Sequence, residues 1–211
     1  MELYRSVKDA ESLSSMTPDT ALELLKEGNK RFLTKDEIDR DHFWHINKTI
    51  DSQHPFAIVL GCIDSRVMPS IIFDQGIGDL FIARIAGNII NQDILGSMEY
   101  ACAAAGSKLI VVMGHTSCNA VKAAVDDIKL GNLTASLKHI RLAIEKIEYT
   151  EKEKRNSKNL DFVNKVANKN VELAIDDIKS QSPILLELYE KKIINIVGAI
   201  YNHATGEVMF C

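Results

Sequence analysis

The stretch Phe56-Ala57-Ile58-Val59-Leu60-Gly61-Cys62-Ile63-Asp64-Ser65-Arg66 decides how this chain folds. A run of consecutive apolar residues stopped by glycine describes a short strand buried on both faces, because a strand with one wet face would alternate apolar and polar. The same form returns at Leu80-Phe81-Ile82-Ala83, at 109–113 before Gly114, and at Ile193-Ile194-Asn195-Ile196-Val197 before Gly198. Helical periodicity fills the intervals, over 93 to about 105, 119–128 and 160–178. Strands alternating with helices are βαβ units, and parallel neighbours need such crossovers. The sequence therefore predicts an α/β fold, a mainly parallel β-sheet flanked by helices.

Upstream of the first strand, Thr17-Pro18-Asp19 predicts a helix start: a hydroxyl cap, proline in the first turn and a carboxylate at the positive end of the dipole. Ala21, Leu22, Leu24 and Leu25 give that helix an apolar face, and Gly28 or Asn29 is the expected stop. Residues 1–15 are polar and read as a wrapping or fraying segment. The run 145–159, centred on Glu151-Lys152-Glu153-Lys154-Arg155, reads as a solvated face or connection without a catalytic role. No repeat or Pro/Gly/Ser linker divides the chain, so 1–211 is expected to be one domain.

Composition narrows the classes. Of 211 residues, 46% are hydrophobic and 26% charged, which excludes disordered and collagen-like chains. A formal charge of −4 lacks the basic footprint of a nucleic-acid binder. The apolar runs fall far short of the ~20 residues a membrane-spanning helix needs. Met1-Glu2-Leu3-Tyr4-Arg5 has no signal-peptide core, so a cytoplasmic location is expected. Four cysteines, Cys62, Cys102, Cys118 and Cys211, are too few for a disulfide scaffold in a chain of this size.

The first and third strands end in Gly61-Cys62-Ile63-Asp64-Ser65-Arg66 and Gly114-His115-Thr116-Ser117-Cys118. In a parallel sheet the loops leaving the carboxyl ends form the ligand crevice, so Cys62, His115 and Cys118 arrive at one edge. Cys₂His is a catalytic zinc set that leaves a fourth position for water or substrate. Buried core thiols and a redox pair are the alternatives for the same residues. Beside Cys62, Arg66 can take both oxygens of Asp64 in a bidentate bond, keeping the carboxylate off a metal and free to orient water. A plain loop salt bridge is the competing account of that pair.

These residues carry a resemblance. Cys62-x-Asp64-x-Arg66 followed by His115-x-x-Cys118 resembles the zinc signature of the β-class carbonic anhydrases. Phe73-Asp74-x-Gly76-x-Gly78-Asp79-Leu80-Phe81, Arg84-x-Ala86-Gly87-Asn88 and Gly114-His115-Thr116-x-Cys118-x-Ala120-Val121 look like that family too, and the likeness runs from Thr17 to Tyr201. It implies a zinc-binding α/β core over 51–211 and an N-terminal helical arm over 1–50 that packs on a partner subunit. It also implies a homodimer or homotetramer, Zn²⁺ on Cys62, His115 and Cys118, and an Asp64–Arg66 dyad. The implied reaction is reversible hydration of CO₂ to bicarbonate and a proton by zinc-bound hydroxide, with activity rising toward alkaline pH because two thiolates damp the metal's acidity.

Two positions depart from the family pattern. Val59 stands where a bicarbonate-regulated group has Trp, so an open site is expected and Arg84 and Tyr201 read as core or interface hydrogen-bonding groups. Asn119 replaces the usual Gly after the second cysteine, adding bulk near the metal. Cys102 reads as a packed, inert thiol and Cys211 as an exposed one. No histidine among His42, His45, His54, His139 and His203 is singled out as a proton relay. Hydrolysis of carbon disulfide or carbonyl sulfide on the same site, and a zinc-stabilised interaction module, are the alternative functions.

Overall fold

The computed structural model describes residues 3–148 and 154–211. Its elements are α1 (Ala10–Ser15), α2 (Pro18–Thr34), α3 (His42–Lys48), β1 (Ala57–Gly61), α4 (Pro69–Ile72), β2 (Leu80–Arg84), α5 (Gln92–Glu99), β3 (Leu109–His115), α6 (Asn119–Val125), α7 (Leu133–Glu145), α8 (Leu160–Gln181), α9 (Pro183–Glu190), β4 (Asn195–Tyr201) and β5 (Val208–Phe210). A 3₁₀ turn, Ala86–Asn88, follows β2, and a π-helical turn, Tyr100–Ala104, continues α5. The strands form one sheet in the order β2-β1-β3-β4-β5, parallel throughout except for the last pair.

The continuous apolar runs act as expected in the sheet centre. Every residue of β1 and β3 is buried. Alternate side chains serve opposite faces, as the two-residue period requires. Ile58, Leu60, Ile110 and Val112 pack with Met98, Val171, Ile178 and Leu185. Ala57, Val59, Val111 and Met113 pack with Ala21, Leu25, Ile72 and Phe73 on the other side. A third cluster joins α6, α7 and α8 and includes Cys62 and Cys118. At the edge, β2 is only partly covered, and Ile82 is 41% exposed.

The ends of α2 and β4 differ from the sequence reading. Thr17 caps α2 by accepting from the Thr20 N–H, but the helix passes through Gly28 and Asn29 and ends at Lys35, in the left-handed region. Gly28 is a contact residue: a Cβ there would lie 1.7 Å from the Phe73 carbonyl oxygen. Asn29 is buried, donates to the Ile72 and Gly206 carbonyls and accepts from the Val208 N–H, so its amide ties α2 to β5. β4 runs through Gly198, where a Cβ would meet Cys211 Sγ at 2.7 Å and Val171 Cγ1 at 2.8 Å. Helix α7 and strand β5 went unforeseen. The centre of the charged run, Glu151-Lys152-Glu153, lies outside the described residues.

Candidate metal centre and active site

Cys62 is the first residue beyond β1, His115 closes β3 and Cys118 caps α6. The parallel register Gly61↔Met113 brings the ends of β1 and β3 level, delivering all three side chains to one edge. All three are buried, and one donor atom from each lies within 4.8 Å of the others. The two sulfurs are 3.9 Å apart, and the Gly87 N–H points at Cys62 Sγ from 3.3 Å. Gly87 has φ 73°, and a Cβ there would meet Ile140 Cδ1 at 2.5 Å. Only glycine presents its amide so close to the sulfur.

His115 Nδ1 lies 3.0 Å from the Thr116 carbonyl oxygen. A carbonyl only accepts, so Nδ1 carries the proton and Nε2 is left with its lone pair. That Nε2 is buried with no hydrogen-bond partner. The Cys118 thiol donates to Cys62 and, with the Gly87 N–H, holds Cys62 well below the usual thiol range. The same contact and burial push Cys118 up. A buried thiolate beside a second sulfur and an unshared imidazole lone pair is a donor set in want of a borderline-soft cation. The residues fit a zinc-type ion.

Cys102, on the helix after α5, is the packed core cysteine, its thiol pushed up to about 12 by burial. Cys211 is exposed.

Arg66 grips Asp64 in both directions, Nε to Oδ1 at 2.9 Å and Nη2 to Oδ2 at 2.8 Å. These hydrogen bonds hold the Asp64 carboxyl well below the usual carboxylate range. Asp64, Ser65, Arg66, Ser117, Asn119 and Lys122 line a cleft of about 400 Å³. Asn119 thus stands at the mouth, exposed. Two larger grooves lie elsewhere on the surface and contain neither cysteine.

Two residues acquire roles that the sequence left undefined. Arg84 donates from Nε to the Cys62 carbonyl at 2.9 Å and from Nη2 to the Asp64 carbonyl at 2.6 Å, bracing the loop that carries both side chains. His203, in the turn after β4, lies against His115 with ring centroids 4.5 Å apart and the ring planes tilted by 36°. Tyr201 meets the His203 ring edge-on at 5.3 Å. Asp64, His115 and His203 also each offer a donor atom within 4.8 Å of the other two. Burial, then the neighbouring His115, lowers the His203 pKa. His42, His45, His54 and His139 belong to neither donor group.

A carbonic anhydrase family model matches residues 57–208. Carbonic anhydrase 2 of Mycobacterium tuberculosis is 40% identical over 136 residues, 64% of this chain and 65% of that protein, so the match spans just under two thirds of its length. The carbonic anhydrase of Mycolicibacterium smegmatis is 32% identical over 197 residues, 93% of this chain and 94% of that one. Among solved structures, the β-carbonic anhydrase CafA of Aspergillus fumigatus superposes with a TM-score of 0.73 at 25% identity, covering 92% of this chain and 89% of its own. A thiol–imidazole donor set at the carboxyl edge of a parallel sheet, in a chain matched almost end to end, places this protein in the β-class carbonic anhydrase family.

Proposed function

We propose that this chain is a zinc enzyme that hydrates CO₂ reversibly to bicarbonate and a proton. One observation carries the reading: the unpartnered, buried His115 Nε2 faces two thiols beside a carboxylate that Arg66 occupies on both oxygens. Cys62, His115 and Cys118 would hold the metal. When bound, zinc supplies Lewis acidity, which brings water into reactive form near neutral pH. Asp64 stays ionised and accepts a hydrogen bond from the attacking water, turning its lone pair toward the CO₂ carbon. Arg66 keeps Asp64 from becoming a fourth ligand and shutting the site, which argues against a purely structural zinc module. Arg84 keeps the Cys62 and Asp64 backbone at a constant separation, and the cleft bordered by Asn119 and Lys122 lets bicarbonate and the proton leave.

The chain works as one domain, its arm over 1–50 joined to the core over 51–211. Ala21 and Leu25 of α2 support this by burying themselves against the core's own sheet. It assembles as a homodimer or a homotetramer built on it. The unpaired β2 edge supports assembly, with Ile82 and nearby Ile63, Met68 and Ile71 exposed. No helix among the described residues is long and apolar enough to cross a membrane. Two facing free thiols suit a reducing compartment such as the cytoplasm.

Stopped-flow CO₂ hydration on zinc-loaded and chelated protein, with metal analysis, tests the reading. Activity that tracks one zinc per chain is expected. Active protein without stoichiometric zinc, or a loaded protein that hydrolyses carbon disulfide or carbonyl sulfide but leaves CO₂ untouched, would overturn it.

A further inference from the structure

His203 is a polar side chain at this site whose chemistry the reaction above leaves unused. Both its ring nitrogens are buried and neither has a hydrogen-bond partner. Its backbone is held in place by two hydrogen bonds. The His203 N–H donates to Thr116 Oγ1 at 3.1 Å, and the Thr116 N–H donates to the Tyr201 carbonyl at 3.0 Å. With the tilted ring contact on His115 and the edge contact from Tyr201, the ring is held on two sides. Ring contact alone would be served by any flat ring. It gives no reason to bury two nitrogens without partners, each of which costs on folding what a lost hydrogen bond costs.

The free nitrogens converge with a second polar group: one ring nitrogen of His203, one of His115 and one Asp64 oxygen share a space within 4.8 Å. A neutral imidazole brings one N–H donor, while Asp64, ionised and gripped by Arg66, only accepts. The occupant that satisfies both is small and planar, with a hydroxyl for the carboxylate and a negatively charged oxygen for the N–H. Bicarbonate has that pattern. CO₂ has no hydroxyl and little charge on its oxygens, so the contact strengthens as charge develops during attack, which is how a donor accelerates a reaction rather than merely binding its substrate.

Resting on the reaction proposed above, we infer that His203 is a substrate-contacting residue whose ring N–H hydrogen-bonds the bicarbonate oxygen on which negative charge collects. Asp64 takes the hydroxyl of the same anion, so the two side chains set its orientation in the cleft. Nothing in the sequence separated His203 from the other histidines; it reaches the site through the return of β4 beside β3.

The test compares wild type with His203→Phe, which keeps a flat ring against His115, and His203→Gln, which keeps a donor and an acceptor. Zinc content, bicarbonate affinity by calorimetry on zinc-loaded protein, and kcat/KM for CO₂ hydration are read for each. All three proteins should hold one zinc. His203→Phe should bind bicarbonate about tenfold more weakly and lose about tenfold in kcat/KM, the worth of one hydrogen bond to a charged group. His203→Gln should recover much of both losses. Wild-type affinity and rate in His203→Phe would overturn the inference. So would equal damage with zinc loss in both variants, which would make the residue a packing support for His115. A wild-type protein with zinc but no CO₂ hydration would instead remove the parent reading.

Discussion

Replacing Arg84 with Met tests how far the metal centre depends on a residue that supplies no donor atom to it. The guanidinium spans two backbone carbonyls, those of Cys62 and Asp64, at 2.9 and 2.6 Å. A hydrogen bond from a charged donor contributes about 1.5–3 kcal/mol. Arg84 is half-buried, so water screens part of this and the low end applies, giving roughly 3 kcal/mol for the pair. Methionine fills similar volume but leaves both carbonyls unheld, and the loop can drift between β1 and Arg66. Groups that orient a ligand in this way typically change metal affinity 10- to 100-fold, or about 1.4–2.8 kcal/mol, which falls within the same range. Arg84→Met should therefore weaken zinc binding at least tenfold in a chelator-competition titration and lower thermal stability. Arg84→Lys, whose single ammonium cannot span both oxygens, should fall between the two. Zinc affinity within twofold of wild type in Arg84→Met would refute the bracing role.

Four further outcomes are expected. Gly28→Ala drives a Cβ into the Phe73 carbonyl, which backbone on both sides prevents from yielding, so unfolding should cost about 3 kcal/mol less and Tm should drop by roughly 6–12 °C in a calorimetric scan. Arg66→Ala releases Asp64 toward the cysteines, and CO₂ hydration should fall about a hundredfold by stopped flow with the fold intact by circular dichroism. Because the Asp64 pKa is depressed in the folded protein, its stabilising contribution is complete above about pH 4 and fades as pH falls through the folded value. The urea-measured gap between wild type and Asp64→Asn should accordingly be flat from pH 5 to 8 and narrow only in acid. Maleimide at pH 8, read by peptide mass spectrometry, should label Cys211 in zinc-loaded protein, add Cys62 after chelation, and reach Cys118 and Cys102 only on unfolding.

What the sequence disclosed follows from how local each signal is. The runs that became β1 and β3 were legible because strands at the centre of a parallel sheet need apolar side chains on both faces. β5 has three residues and exists only through its antiparallel pairing with Ala199, Ile200 and Tyr201, so no local pattern announces it. Gly28 and Gly198 misled because glycine has two uses. Here it permits close approach to Phe73 and to Cys211 and Val171, rather than ending an element. At the site, Cys62, His115 and Cys118 were readable because each lies at a strand end, and Asp64 and Arg66 because they adjoin Cys62. The clasp of Arg84 and the ring contact of His203 arise from packing between segments far apart in the chain. Arg84 could be found by its place in a familiar motif, though not by what it holds.

The level ends of β1 and β3 carry one more implication. A slip of one residue between these strands would displace Cys62 by about 3.3 Å and turn its side chain to the opposite face. On the zinc reading proposed above, metal uptake becomes a census of correct threading: each bound ion would certify a molecule whose central pair has found its proper alignment. Sub-stoichiometric loading under saturating zinc would then count misassembled chains rather than empty but competent ones.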